Sequence, residues 1–180
     1  MLNKKFIFIT GLQRSGTSFL HDILREQDNI SGVRKVVGIM RNEGQHLQNI
    51  LPRDEYYGGI GGFAFNEDAH FTEENKEFSN IKAIDLINQW KPHWENPNSD
   101  VFVEKSPINI VRTRFLQKLF PNSYFILIMR HPIINAFATK HFIKKLKYYL
   151  KNYEFSYIIE HWFKAHNIFY DDEKYLKNVL

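Results

Sequence analysis

No cysteine occurs among the 180 residues. That excludes disulfides, thiolate zinc sites and cysteine nucleophiles, and it leaves the redox compartment open. No apolar run approaches the roughly 20 residues that a membrane-spanning helix needs. Near the N-terminus, Lys4 and Lys5 precede an apolar stretch, Phe6 to Ile9, but it is far too short for a signal-peptide core and runs straight into a glycine loop. These absences predict a cytoplasmic protein without stable membrane insertion. Histidines and carboxylates show no ligand spacing such as His-Glu-x-x-His, so no metal is expected. Repeats and low-complexity linkers are also missing, so residues 1–180 are read as a single domain.

Phenylalanine is abundant instead. Its 16 copies predict a core filled by large rings. The formal charge of +4 suits an anionic ligand, and a solvated lysine surface explains it equally well. Basic residues are scattered apart from Lys140, Lys144, Lys145 and Lys147, which are read as facing water. No stacking motif accompanies them, so nucleic acid is not an expected partner.

Apolar residues without alternation predict buried strands over 5–10, 101–103 and 124–129. Helical spacing predicts helices over 16–27, 72–90, 108–119, 133–143 or beyond, and 154–170. The first would bury Phe19, Leu20, Ile23 and Leu24; Thr72 would cap the second, and Pro92 would end it. Residues 28–70 read as a long loop punctuated by Gly32, Gly38, Gly44, Pro52 and the cluster at 58–62, with room for a short helix over 43–50. Strands alternating with helices imply an α/β fold, a parallel central sheet between helical layers.

Ligands in such sheets bind beyond the carboxyl ends of the strands. Three predicted strands end there in polar residues: Arg14 and Ser15 after the first, Glu104, Lys105 and Ser106 after the second, Arg130 and His131 after the third. The first of these turns, Gly11-Leu-Gln-Arg-Ser-Gly16 followed by Thr17-Ser18, nearly matches the P-loop of nucleotide triphosphatases. Backbone amides and a helix N-terminus would converge there on an anion. The lysine that should follow the second glycine is absent, and Arg14 stands two residues before that glycine. Arg14, Lys105 and Arg130 together suit a polyanion.

The run at 11–18 resembles the 5′-phosphosulfate loop of the sulfotransferases, which use 3′-phosphoadenosine 5′-phosphosulfate (PAPS) as donor. Asn42-Glu43-Gly44-Gln45-His46-Leu47-Gln48, Glu104-Lys105-Ser106-Pro107, Phe120-Pro121 through Arg130-His131-Pro132, and His161-Trp162 to Ala165-His166 resemble the bacterial branch of that family, in its order. The resemblance implies a three-layer, P-loop-like α/β/α sulfotransferase fold. It implies that Arg14, Ser15, Gly16, Thr17 and Ser18 cradle the 5′-phosphosulfate and that Arg130 binds the 3′-phosphate. The family's serine eight residues after that arginine is Ala138 here, with Thr139 as its candidate substitute. An acceptor hydroxyl, on a saccharide, lipid, peptide or small molecule, would attack sulfur in line and release the bisphosphate PAP. Arg14 and Lys105 would neutralise charge on the transferring and leaving groups. Glu43 is the candidate base and His46 the reserve. Glu104 could pair with Lys105 or Arg14. The family continues beyond a helix like 154–170 into another parallel strand and a cofactor-covering segment, so the chain is expected to lack both. Two alternatives stay open: an ATP-dependent phosphotransferase, which predicts a lysine after Gly16, and a degenerate, non-catalytic nucleotide-binding protein, which Ala138 favours.

Overall fold

In the computed structural model of the chain, which describes residues 4–34, 42–146 and 153–180, the run Phe6 to Ile9 forms the middle of strand β1, Lys5–Thr10. β1 pairs in parallel with β3 (Val101–Lys105) and with β4 (Ser123–Leu127). A three-residue strand, β2 (Ile30–Gly32), joins β3, so the sheet runs β2-β3-β1-β4, all parallel. The residues Asn178–Leu180 run parallel beside β4, bonded through Phe125 and Leu127. The predicted α/β fold with a parallel central sheet is the one adopted.

Successive strand residues face opposite sides of a sheet. Phe6 and Phe8 meet Phe102, Phe120 and Phe125 on one face, in an aromatic core that Trp90, Phe115, Trp162 and Phe169 extend. Those rings come from α2 (Ala83–Trp90), α3 (Thr113–Leu119) and α5 (Phe155–Glu173). Helix α1 (Thr17–Arg25) covers the other face, where Gly32 and Val103 are register partners. A Cβ on Gly32 would lie 2.8 Å from Arg25 Cβ and 2.9 Å from His21 Nε2, so this close approach needs glycine. Helix α4 (Pro132–Lys145) follows β4 and packs along α5. Among the described residues no helix is long and apolar enough to cross a membrane. Gly38 and Lys147 lie outside the described residues.

Several predicted elements are corrected. Helix α1 buries Thr17 and His21, while Phe19, expected in the core, is 72% exposed. The loop fixes where α1 begins, and that rotation turns the phenylalanine outward. The helix expected over 72–90 is α-helical only from Ala83. The Asn75 carboxamide accepts the Thr72 amide at 2.6 Å, a local turn that competes with helix. The helix expected over 108–119 is split at Arg112, whose non-helical backbone (φ −135°, ψ 13°) separates a 3₁₀ turn (Pro107–Val111) from α3. Its buried guanidinium donates to Pro52 O and stacks 4.1 Å from the Phe71 ring centroid. Over 43–50 only a 3₁₀ turn forms, Gly44–His46.

Three buried histidines make the fold acid-sensitive. Burial pushes His161 down to about 3, and burial helped by the Lys105 charge pushes His21 down to about 4. His166 is lowered by burial too. An unfolded histidine binds its proton near pH 6.5, so as pH falls below that the unfolded state gains protons that the folded state refuses. Stability is full above the unfolded value and is lost as pH falls towards the folded values, by about 2 kcal/mol for a fully buried histidine at pH 5. Burial raises the Glu104 carboxyl, which works the other way, as one group against three. The urea midpoint is therefore expected to drop between pH 7 and pH 5. His161→Phe should flatten part of that drop; an unchanged slope in this variant would refute the assignment.

Candidate functional site

β1 delivers the chain into the turn 11–16, whose geometry depends on three left-handed residues. Gly11 has φ +138° and Gly16 φ +108°, and Arg14, at φ +69°, is the one non-glycine residue with positive φ among those described. A Cβ on Gly11 would stand 2.4 Å from Ile128 O, because the turn passes directly over the end of β4. The turn leads into α1 with Phe19 N and Leu20 N bonded back to Gly16 O. The amides of Thr17 and Ser18, at the head of the helix, have no intrahelical acceptor. The positive end of the helix dipole lies at the same place.

An open depression of about 420 Å³ sits there, lined by Arg14, Ser15, Gly16, Thr17, Ser18, Phe19 and Arg130. Six of the predicted site residues thus share one surface. Two guanidinium groups border it and no carboxylate does. Arg130 Nη1 donates to Arg14 O at 3.1 Å, tying the end of β4 to the turn, while Trp162 Nε1 holds Arg130 O at 2.9 Å. The Arg14 guanidinium lies 5.2 Å from the Phe142 ring centroid, a cation–π contact from α4.

The remaining predicted residues lie elsewhere. Glu43 and Lys105 form an internal ion pair at 3.0 Å, each side chain about 4% exposed. Glu43 Oε2 accepts from Gln45 Nε2 at 2.7 Å and stands 3.4 Å from His46 Nε2. His46 is the more open of the two, with 15% of its side chain accessible. Glu104 pairs with neither Lys105 nor Arg14. It accepts Gly44 N at 2.8 Å and the Ser106 hydroxyl at 2.6 Å, and it also receives Asn109 Nδ2, all beneath the 44–46 turn. Thr139 is 3% exposed, does not line the depression, and directs its hydroxyl to Asn135 Oδ1 at 3.5 Å.

A chain of buried polar groups joins these two regions. Gln45 Oε1 accepts Asp54 N at 3.0 Å, and Asp54 Oδ2 accepts Gln13 Nε2 at 2.8 Å. Asn135 Nδ2 then reaches Gln13 O at 2.9 Å and Ser15 Oγ at 3.0 Å. Gln13 and Gln45 stand within the runs at 11–18 and 42–48 without an assigned role, and the sequence singles out neither Asp54 nor Asn135. Gln45 and Asp54 sit in the stretch that carried no periodicity, and Asn135 gave one weak signal, its i,i+4 spacing to Thr139. Among the described residues no cluster of three histidines or carboxylates is arranged to hold a metal ion.

The description "Sulfotransferase family" belongs to the family model that matches residues 7–178. No curated protein matches the chain in sequence. Among solved structures, a sulfotransferase from Alicyclobacillus acidocaldarius superposes with a TM-score of 0.50 at 15% identity, over 93% of this chain and 66% of that one. STF9, a sulfotransferase of Mycobacterium avium, gives 0.56 at 11% identity, over 99% of this chain and 59% of that one. STF1, a sulfotransferase of Mycobacterium tuberculosis H37Rv, gives 0.53 at 14% identity, over 97% and 60%. At such identities these structures are similar in fold. The chain spans between 59% and 66% of their lengths.

Removing one partner of a buried ion pair costs about 3–5 kcal/mol, because the other charge is stranded without solvent. Lys105→Met should accordingly lower the unfolding free energy by that amount in urea titration. Adding Glu43→Gln should recover part of the loss. A double variant no more stable than Lys105→Met would show that the pair does not carry this cost.

Proposed function

Because the chain belongs to the sulfotransferase family, we propose that it transfers a sulfuryl group from PAPS to an acceptor hydroxyl. The observation that carries this reading is the carboxylate-free depression at the head of α1, bordered by Arg14 and Arg130. Its donors fit a phosphosulfate: two peptide amides at a helix start, the hydroxyls of Ser15, Thr17 and Ser18, and a forked guanidinium that matches tetrahedral oxyanions. Arg130, which also borders the depression, is the proposed ligand of the 3′-phosphate. The missing lysine after Gly16 counts against an ATP-dependent phosphotransferase.

In the proposed reaction the acceptor oxygen attacks sulfur and a new S–O bond forms. The bond from sulfur to the phosphate oxygen breaks, and the bisphosphate leaves with its electron pair. Arg14 and the loop amides stabilise the charge that grows on the bridging oxygen. In this reading the acceptor enters beside the 43–46 turn, outside the depression proper, where His46 is open; Glu43 takes the acceptor's proton and Lys105, in contact with it, positions the carboxylate. The acceptor is a saccharide, lipid, peptide or small alcohol. His46 offers a second route for the proton, favoured by its greater exposure beside Glu43 Oε2.

A thermal shift decides between donors. PAP at about one hundred times its dissociation constant should stabilise the fold by roughly 2.7 kcal/mol. Arg14→Ala should abolish the shift. Stabilisation by ATP with magnesium but not by PAP would sink the sulfotransferase reading. The proton route can be read from PAP release during turnover with a panel of phenols, saccharides and peptides. Glu43→Gln is expected to lower kcat about 100-fold or more. An equal loss in His46→Asn assigns the proton to the imidazole, whereas a loss under about threefold leaves it on Glu43.

A further inference from the structure

Asn135 is 1% exposed on α4 and spends its whole carboxamide on the anion-site loop and its support. Its nitrogen lies 2.9 Å from Gln13 O and 3.0 Å from Ser15 Oγ. A peptide carbonyl only accepts, so the group facing Gln13 O must be the NH₂. One of its two hydrogens goes to that carbonyl and the other to Ser15 Oγ. The Asn135 oxygen, on the opposite side, receives the Thr139 hydroxyl at 3.5 Å. Ser15 therefore gives up a lone pair to Asn135, and its own hydrogen is left to donate elsewhere. Ser15 borders the depression.

We propose that Asn135 is a positioning residue that makes Ser15 a donor towards the bound anion. The inference rests on the reading of the 11–18 loop as an anion cradle and adds to it a device set in a different helix. A hydroxyl free to rotate presents either a lone pair or a hydrogen to its ligand. Fixing its acceptor side favours the hydrogen, which is the form an oxyanion needs. The same clamp holds Gln13 O on one side of Arg14 while Arg130 holds Arg14 O, so the left-handed residue is secured by α4 on one side and by the end of β4 on the other.

The test is a double-mutant cycle on affinity for PAP, with inorganic pyrophosphate as a second probe and urea unfolding measured in parallel on the full chain. Asn135→Ala and Ser15→Ala are each expected to weaken PAP binding about tenfold. With Ser15 already alanine, the Asn135→Ala loss is expected to shrink to less than half, what remains being the lost Gln13 contact, a coupling that a purely structural role would not produce. Asn135→Asp keeps the shape and serves if the alanine variant fails to fold; its carboxylate would draw the Ser15 hydrogen inward and weaken binding at least as much. Equal losses from the Asn135 change in the presence and absence of the Ser15 hydroxyl, or affinities within twofold of the parent, overturn the proposal. A parent that binds pyrophosphate but not PAP removes the nucleotide reading, and the same cycle on pyrophosphate still decides Asn135. A parent that binds neither overturns both.

Discussion

The Glu43–Lys105 ion pair is the constraint that the rest of the site is built around. Two opposite charges meet at 3.0 Å with almost no water. Desolvation makes such a pair expensive, and its attraction repays the cost only when further hydrogen bonds complete the geometry. Those bonds are present: Gln45 supports the carboxylate, and the backbone of the same turn is pinned to Glu104 and Ser106 at the end of β3. The pair thus fixes a loop with little secondary structure to the central sheet. Lys105 is set by register beside Ile9, one strand away from the residues that enter the turn 11–16. A displacement of Glu43 would propagate through Gln45 and Asp54 to Gln13.

At the other end of that chain the demands are reversed. On the proposed reading the turn 11–16 stays open to a charged ligand, so it cannot be stabilised by burying its own charges. It is held from beneath instead. Ile128 O admits only glycine at position 11, and Asn135 and Asp54 take the polar groups of Gln13. A left-handed arginine is unfavourable in isolation and persists where surrounding structure over-determines it. Here the carbonyls on either side of it, those of Gln13 and Arg14 itself, are each bonded by a different element, α4 and the end of β4.

The fold was legible because its signals are local and strong. Phe6 to Ile9, Val101 to Val103 and the run ending at Met129 are apolar without alternation, which only a sheet covered on both faces requires. The alternation of strands with helices then dictated parallel pairing. Of the cations adjoining strand ends, Arg14 and Arg130 share one surface because β1 and β4 are neighbours, whereas Lys105, at the end of β3, turns into the internal pair with Glu43, which only the loop at 43 supplies. The parts that could not be read depend on distant partners. Phe19 looks like a core residue in a helical window, yet the loop sets the rotation of α1 and leaves it in solvent. Arg112 falls inside the helix expected over 108–119, yet carbonyls from 52 and 69 draw it into the interior and the helix breaks there. β2 is three residues long and exists through β3, with no signal of its own.

On the proposed reading, the position of the cation follows from the group being transferred. A sulfuryl group carries less negative charge than a phosphoryl group, so the need for a metal ion and a lysine beside it is smaller. A planar guanidinium offers several donors at fixed angles, which suits shared recognition of a bridging oxygen and its neighbours better than a point charge does. Placing that group at position 14, on the crest of the turn, lets it move over the Phe142 ring without disturbing the amides at the start of α1. A lysine immediately after Gly16 would project from the first residue of that helix, now Thr17, which is buried. Moving the cation from the helix to the turn thus leaves the helix start free for hydroxyls and amides. It also makes the turn's backbone geometry, and so its clamps in α4 and β4, part of the anion site.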